Sequence, residues 1–152
     1  MTAVGASRMP TIQEIMDTKV DPSADAIWDS VAYIATRSGV EDRRPRTDEQ
    51  WRAVRRSALT LIEAADLLRM KGRRVAVIES ATKPGELPTS EIQRRLDATP
   101  SGFEGFARAL GDAGLKALAA IDAKDAKALM DSGGTIDEAC EACHLTYWYP
   151  NQ

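Results

Sequence analysis

Hydrophobic residues recur at steps of three and four positions in several long stretches of this chain, which is the period of an amphipathic α-helix. The first stretch follows Pro10, where Thr11 can cap a helix and Glu14 can complete a capping box. The apolar phase continues across Pro22 to about Gly39, so we expect one kinked helix rather than a second helix beginning at the proline. Its apolar positions are Ile12, Ile15, Met16, Val20, Ala24, Ile27, Val31 and Ile34.

A second capped helix is predicted from Thr47, with Gln50 as its capping-box partner, to about Gly72. Its hydrophobic residues alternate in steps of three and four, which is the narrow stripe typical of a bundle seam. They are Trp51, Val54, Ala58, Leu61, Ala65 and Leu68. Between these two helices, residues 39–46 are predicted to form a charged loop.

Two further long helices are predicted in the C-terminal half, one from Ser101 and one from Asp122 to just before Pro150. Between residues 73 and 100 the pattern is irregular, with one short helix from about Thr89 to Asp97. The helix from Ser101 contains glycines that lower its intrinsic stability, which predicts close approach by a neighbour or by a bound group: Gly102, Gly105, Gly111 and Gly114. The last helix is expected to face inward through Leu129, Gly133, Ile136, Cys140, Cys143, His144 and Tyr147 and to bend at Gly133–Gly134.

No stretch alternates convincingly with a period of two, so no strands are expected. Amphipathic helices without strands predict an all-α fold, most simply an antiparallel four-helix bundle. Residues 11–152 would form this single domain, after a loose N-terminal leader over residues 1–10.

Composition narrows the class of protein further. The chain has 152 residues with 43% hydrophobic content, enough for one domain with a real core. A formal charge of −3 provides no basic footprint for nucleic acid. No apolar run is long enough to span a membrane, and residues 1–9 lack the hydrophobic core of a signal peptide.

The strongest chemical signal is the segment Cys140-Glu141-Ala142-Cys143-His144, which is the attachment signature of a c-type haem. Each thiol would add to one vinyl group of the porphyrin, and the histidine would ligate the iron. Residues at i, i+3 and i+4 share one face of a helix, so a single turn can present Cys140, Cys143 and His144 to one macrocycle. We therefore expect one covalently attached haem c.

Other uses of this motif fit the sequence less well. A structural zinc site needs about four Cys or His ligands, and the chain contains two cysteines and one histidine. A redox-active dithiol of the thioredoxin type would accompany a βαβ pattern, and a disulfide would leave His144 unexplained. Haem is normally attached outside the cytoplasm, so we expect the chain to be a mature form whose export signal has been removed.

The chain resembles the cytochrome c-prime family in three respects. These are the number of its predicted helices, the position of Cys140-Glu141-Ala142-Cys143-His144 near the end of the last helix, and a methionine early in the first helix. The resemblance implies a four-helix bundle whose first helix faces the distal side of the haem. Some members of that family carry an apolar distal residue and have five-coordinate iron. Others carry a methionine there and are low-spin electron carriers.

Met16 is similar to the distal methionine of the low-spin members, which would make Met16 and His144 the axial ligands. Met130 lies fourteen residues before His144 on the same predicted helix, about 21 Å along its axis, so it cannot reach the opposite haem face. Met9 lies beside Pro10 in the leader, and Met70 ends the second helix. The alternative role for Met16 is core packing, which is common for methionine.

The sequence departs from the family pattern at Ile12, where many members have an arginine near the propionates, and at Trp148, where many have a basic residue. The propionate partners are therefore not identified, and the candidate cations are as well explained as solvated charges: Arg8, Arg69, Arg73 and Arg74. Trp148 and Tyr149 are expected to pack as buried aromatics, with shielding of a haem edge or a docking surface as the alternatives.

Two functions are open at this point. The first is one-electron transfer in the periplasm to an unidentified redox partner, through a haem ligated by His144 and Met16. The second is binding of nitric oxide or carbon monoxide at an open sixth site, in a pocket lined by Ile15, Val20 or Trp28. An enzyme is not expected, because the single histidine would be occupied by the iron.

The resemblance also implies a homodimer formed through the first two helices. Trp28, Tyr33 and Trp51 are the aromatic residues expected either at that contact or in the core.

Overall fold

A computed structural model describes residues 9–79 and 83–151. The chain is mostly helical, which confirms the predicted helical class, but it also contains one two-stranded antiparallel sheet. Most of the predicted leader, residues 1–8, lies outside the described residues. Within the described part, no helix combines the length and apolarity needed to cross a bilayer.

The first helical segment begins as predicted, with the Thr11–Glu14 capping box present. It consists of α1 (Ile12–Ile15), a π-helical turn (Met16–Val20) and α2 (Asp21–Ser30). Pro22 cannot donate a backbone hydrogen bond and crowds the carbonyl four residues before it, so an unbroken α-helical ladder cannot pass this point. The interruption takes the form of the π turn, in which the Asp21 N–H reaches the Met16 carbonyl, five residues back.

This segment ends at Ser30, so the prediction of a helix reaching Gly39 and of a charged loop over residues 39–46 was wrong. Strands β1 (Ala32–Thr36) and β2 (Gly39–Arg43) form a hairpin instead, with Ala35 opposite Val40. The step from Val31 to Ile34 fits a helical period but does not require one. Aromatic and β-branched residues favour a strand here, and Gly39 adopts a φ of 134° that suits the tight turn.

Helix α3 (Asp48–Leu68) carries the predicted Thr47–Gln50 capping box and buries the whole predicted seam. It ends before Gly72, which lies beyond the helix with a φ of 79°. The segment that follows is irregular, as expected, until α4 (Thr89–Ala98).

Helices α5 (Pro100–Asp122) and α6 (Ala126–Tyr147) form the C-terminal half. The predicted start of the last helix at Asp122 was wrong. Asp125 is the cap, and its side chain accepts a hydrogen bond of 3.0 Å from the Ala128 N–H. Lys124 turns the chain between the two helices with a φ of 51°. Helix α6 continues without a break through Gly133–Gly134, where a bend was expected.

The long helices contact one another in a ring, α2 with α3, α3 with α5, α5 with α6, and α6 with α2. Close approach of α3 and α5 depends on Gly114, because a Cβ there would lie 2.9 Å from the Cγ1 of Ile62. Gly111 is similar, at 3.4 Å from the Cβ of Ala65, and Gly102 lies beside the Tyr147 hydroxyl. Gly105 has open space around it, so no described neighbour approaches it closely, and approach by a bound group stays a prediction there.

A matched pair of glycine substitutions on α5 tests this packing. Gly114→Ala should lower the free energy of unfolding by about 1–2 kcal/mol, because Ile62 must move and the core is overpacked. Gly105→Ala should raise it by about 0.5–1 kcal/mol, because alanine is the better helix former and nothing obstructs its methyl group. Urea denaturation of the purified protein measures both. Equal stabilisation by the two changes would contradict the close contact between α3 and α5.

Candidate functional site

The residues of the haem motif lie in the last two turns of α6. Cys143 is buried, whereas Cys140 and His144 are partly buried. Both cysteines are free thiols. The i, i+3, i+4 spacing on a regular helix puts the three side chains on one face.

That face lines a small cavity together with Met16, so the structure brings the predicted methionine to the predicted attachment motif. The two are distant in sequence, and contact between α2 and α6 holds their segments together. The remaining wall consists of Asp21 and seven apolar or small residues: Val20, Leu68, Phe103, Phe106, Ala107, Leu110 and Ala139. Of the pocket residues expected from the sequence, Val20 is present, whereas Ile15 and Trp28 lie elsewhere in the core.

A second, more polar cavity adjoins the first and shares Met16, Asp21 and His144 with it. The free volumes are about 280 Å³ for the second cavity and about 30 Å³ for the first. A space of about 30 Å³ holds little more than a water molecule. A macrocycle would therefore enter only by parting the side chains of the apolar wall.

The π turn controls where Met16 points. In a continuous α-helix, residues five apart lie on different faces, but the i to i+5 bonding of a π turn brings them onto one side. Ile15 and Val20 are both buried, at 0% and 2% exposure. Met16 is partly buried beside them, at the edge where both cavities meet.

Backbone contacts from the segment after α3 hold α1 in position. The Ile12 N–H donates to the Arg74 carbonyl at 2.9 Å, and the Gln13 N–H donates to the Val75 carbonyl at 3.0 Å. These bonds satisfy donors that every helix N-terminus leaves unpaired.

The buried guanidinium of Arg73 reinforces the contact, with Nε donating to the Leu67 carbonyl at 2.8 Å and Nη1 donating to the Pro10 carbonyl. Sequence reasoning missed this clamp, because its partners are backbone carbonyls, which leave no side-chain signal, and Pro10 is 63 residues away in the chain.

Burial controls the protonation of the two thiols. Desolvation, with a smaller effect from the charges of Asp21 and Asp137, raises the pKa of Cys140 to about 11. Desolvation also raises the pKa of Cys143 to about 12. Both cysteines are therefore protonated at neutral pH, which is the opposite of the lowered pKa that activates redox and catalytic thiols.

Asp21 is the site residue that the sequence did not reveal. Its place in the wall depends on the π turn, and burial raises the pKa of its carboxyl group, opposed by the neighbouring His144. Of the described residues lining the two cavities, Lys83 is the one lysine or arginine. Sequence reasoning had also missed Lys83, which lies in the irregular connection before α4.

Of the cations suggested as propionate partners, Arg69, Arg73 and Arg74 line neither cavity. Arg69 pairs with Asp66 and Glu104, and Arg73 forms the clamp described above. Arg74 is exposed, and Arg8 lies outside the described residues.

Aromatic side chains close the end of the site. Tyr147 is 2% exposed, with the ring of Phe103 edge-on at 5.7 Å and that of Phe106 at 5.9 Å. The His144 ring lies 6.4 Å from the Trp148 ring and 6.2 Å from the Tyr149 ring, measured between centroids. The C-terminal aromatic segment therefore folds back around the histidine.

The chemistry of the donors suits a covalently attached haem better than a bare metal ion. Across residues 9–79 and 83–151, no group of three or more His, Cys, Asp and Glu side chains is arranged to hold a metal ion. Two reduced thiols, one adjacent histidine, a facing thioether and an apolar wall are the groups that haem attachment and ligation require.

Substitutions at Tyr147 test how the aromatic wall is held. Its hydroxyl lies 3.0 Å from the Thr99 Oγ1, so Tyr147→Phe should lower the free energy of unfolding by about 1 kcal/mol through the lost hydrogen bond. Tyr147→Ala should lower it by about 3–5 kcal/mol, because it also leaves a cavity beside Phe103 and Phe106. Urea denaturation distinguishes the two. Equal losses would show that the ring does not support the wall.

Comparison with known proteins identifies no relative from which the role of this site could be taken. No family model, curated protein or solved structure matches the chain. What the site does must follow from the chemistry of Cys140, Cys143, His144 and Met16 and from the cavities they line.

Proposed function

We propose that this protein is a c-type cytochrome that carries one electron through a haem attached to Cys140 and Cys143 and ligated by His144 and Met16. The observation that supports the proposal most strongly is the shared cavity wall. Met16, from the first helical segment, and His144, near the end of α6, line the same two cavities, and the thiols line one of them.

Cys140 and Cys143 would hold the haem through two thioether bonds. Each neutral thiol would add across a vinyl group, with sulfur bonded to one carbon and the proton passed to the other, so the addition itself would consume no oxidant or reductant. Cys140 and Cys143 are free and protonated, which is the state this addition starts from.

The bound haem supplies a one-electron iron couple. Histidine and methionine ligation favours a higher reduction potential than ligation by harder donors. Phe103, Phe106 and Leu110 give the small cavity an apolar wall, and the backbone bonds from residues 74 and 75 hold α1, which leads directly into Met16. A closed coordination sphere limits rearrangement on electron transfer and leaves no histidine for acid–base catalysis, so we propose a carrier and not an enzyme.

We further propose that α2, α3, α5 and α6 form an antiparallel four-helix bundle around this site, as in the cytochrome c-prime family. Their ring of contacts and the short link between α5 and α6 support this arrangement. The proposed location is the periplasm, where c-type haem proteins encounter protein redox partners. The partner here is unidentified.

Attachment is tested by intact mass. Protein produced with a c-type maturation system should exceed its polypeptide mass by one haem under denaturing conditions. The Cys140→Ala, Cys143→Ala double variant should not, because no thioether can form. Glu141→Ala changes an exposed residue between the two thiols and should load like the wild type. Colourless wild-type protein of bare polypeptide mass would overturn the whole proposal.

Axial ligation is tested separately, by carbon monoxide. The wild type should be low-spin in both oxidation states and bind carbon monoxide slowly or incompletely when reduced, because Met16 occupies the sixth position. Met16→Ala should become high-spin and bind it rapidly. Met130→Ala is the matched control, because this partly buried methionine lines neither cavity.

Rapid, complete binding by a high-spin wild type would overturn Met16 ligation while leaving attachment intact. Met16 would then be a packing residue, and the function would be binding of nitric oxide or carbon monoxide at an open sixth site.

A further inference from the structure

We propose that the outer edge of β1 pairs with β1 of a second copy of this chain, antiparallel, so that two hairpins join into one four-stranded sheet. This inference concerns the surface of the hairpin and does not depend on haem.

The hairpin is poorly supported by the rest of the molecule. β1 and β2 pair chiefly with each other, and every residue of β2 is exposed. Tyr33 is 62% exposed and Val40 is 69% exposed. An isolated two-stranded hairpin is at best marginally stable in water, and a sheet of three or more strands is the usual remedy.

The two strands differ in how their edges are protected. Natural edge strands are commonly blunted by charges or proline, which discourage pairing with another chain. β2 carries Glu41, Asp42 and Arg43, whereas β1 (Ala-Tyr-Ile-Ala-Thr) has neither charge nor proline. In the part of the chain that the structure describes, no strand other than β2 pairs with β1. Its alternate backbone groups are therefore open on the outer side.

Charge at the two ends of β1 favours a second copy as the partner. Asp29 precedes the strand and Arg37 follows it, both exposed, and neither forms an ion pair with another described residue. Antiparallel pairing of identical strands brings the start of one beside the end of the other. The register that sets the two Tyr33 residues opposite each other also brings Asp29 to the same end of the sheet as Arg37 of the second copy.

Such a contact is isologous, since the same surface serves both copies and a twofold axis closes the assembly at a dimer. It differs from the dimer through the first two helices that the sequence suggested. Trp51 is buried, and the Trp28 Nε1 donates to the Gly133 carbonyl at 3.0 Å. Of the three aromatic residues considered for that contact, Tyr33 alone is well exposed.

Sedimentation of the purified protein over a range of concentrations tests the β1 edge with two matched variants. Ala35→Lys adds to the β1 edge a charge of the kind that discourages pairing with another strand, and should raise the dimer dissociation constant at least about tenfold. Val40→Lys adds the same charge on the same face of the hairpin, directly opposite Ala35 but on β2, and should change it less than about threefold. A wild type that stays monomeric at millimolar concentration overturns the proposal, as does equal weakening by both variants.

Exchanging the charges of Asp29 and Arg37 tests whether the partner is a second copy of this chain. Asp29→Arg and Arg37→Asp should each weaken the dimer, and the double variant should recover most of the wild-type dissociation constant, because the opposite charges face each other again. Amide hydrogen exchange within β1 should slow as the wild-type protein is concentrated. Failure of the double variant to recover, or exchange in β1 that is independent of concentration, would overturn antiparallel self-pairing and leave the edge to a different protein.

Discussion

The packing of α5 between α3 and α6 is the contact on which the rest of this structure depends. Gly111 and Gly114 allow α3 to approach closely, and the same helix presents Phe103 and Phe106 to the end of α6. One helix therefore both closes the core and builds the wall of the candidate site. Because tightly packed side chains move together, a change in the fit of α5 would reach the cavity that the cysteines line.

The first helical segment shows how a local defect can position a side chain. Pro22 prevents an unbroken hydrogen-bond ladder, and the π turn before it buries Ile15 together with Val20. Met16 is left at the cavity edge, and the bonds from residues 74 and 75 hold the start of the helix there. π turns occur frequently at functional sites, and this one lies where the proposed axial ligand must be directed.

The candidate site combines two cysteines, one histidine and a largely apolar wall. Its thiols are buried and protonated, its single histidine is partly buried, and the surrounding wall is apolar except for Asp21. Protonated, buried thiols do not suit a reactive dithiol, and they are compatible with the covalent attachment proposed above. The residues of the hairpin line neither cavity, so the proposed self-association and the proposed haem binding can be separated by mutation.

Much of the fold was predictable because its signals are local. Capping boxes at Thr11 and Thr47 and the seam of α3 depend on residues a few positions apart, and all three were confirmed. The hairpin was missed because the single step from Val31 to Ile34 fits a helical period, and one such step over so short a stretch does not require a helix. The start of α6 was displaced because two aspartates compete as caps, and only the turn at Lys124 selects Asp125.

The sequence by itself determined the spacing on which the proposed haem attachment rests, since Cys140, Cys143 and His144 lie within five consecutive residues. Only the tertiary structure decided that Met16 meets that motif, that Asp21 and Lys83 line the adjoining walls, and that Arg73 is a clamp and not a solvated charge. Each of these depends on contacts between segments far apart in the chain, which periodicity along the sequence does not encode.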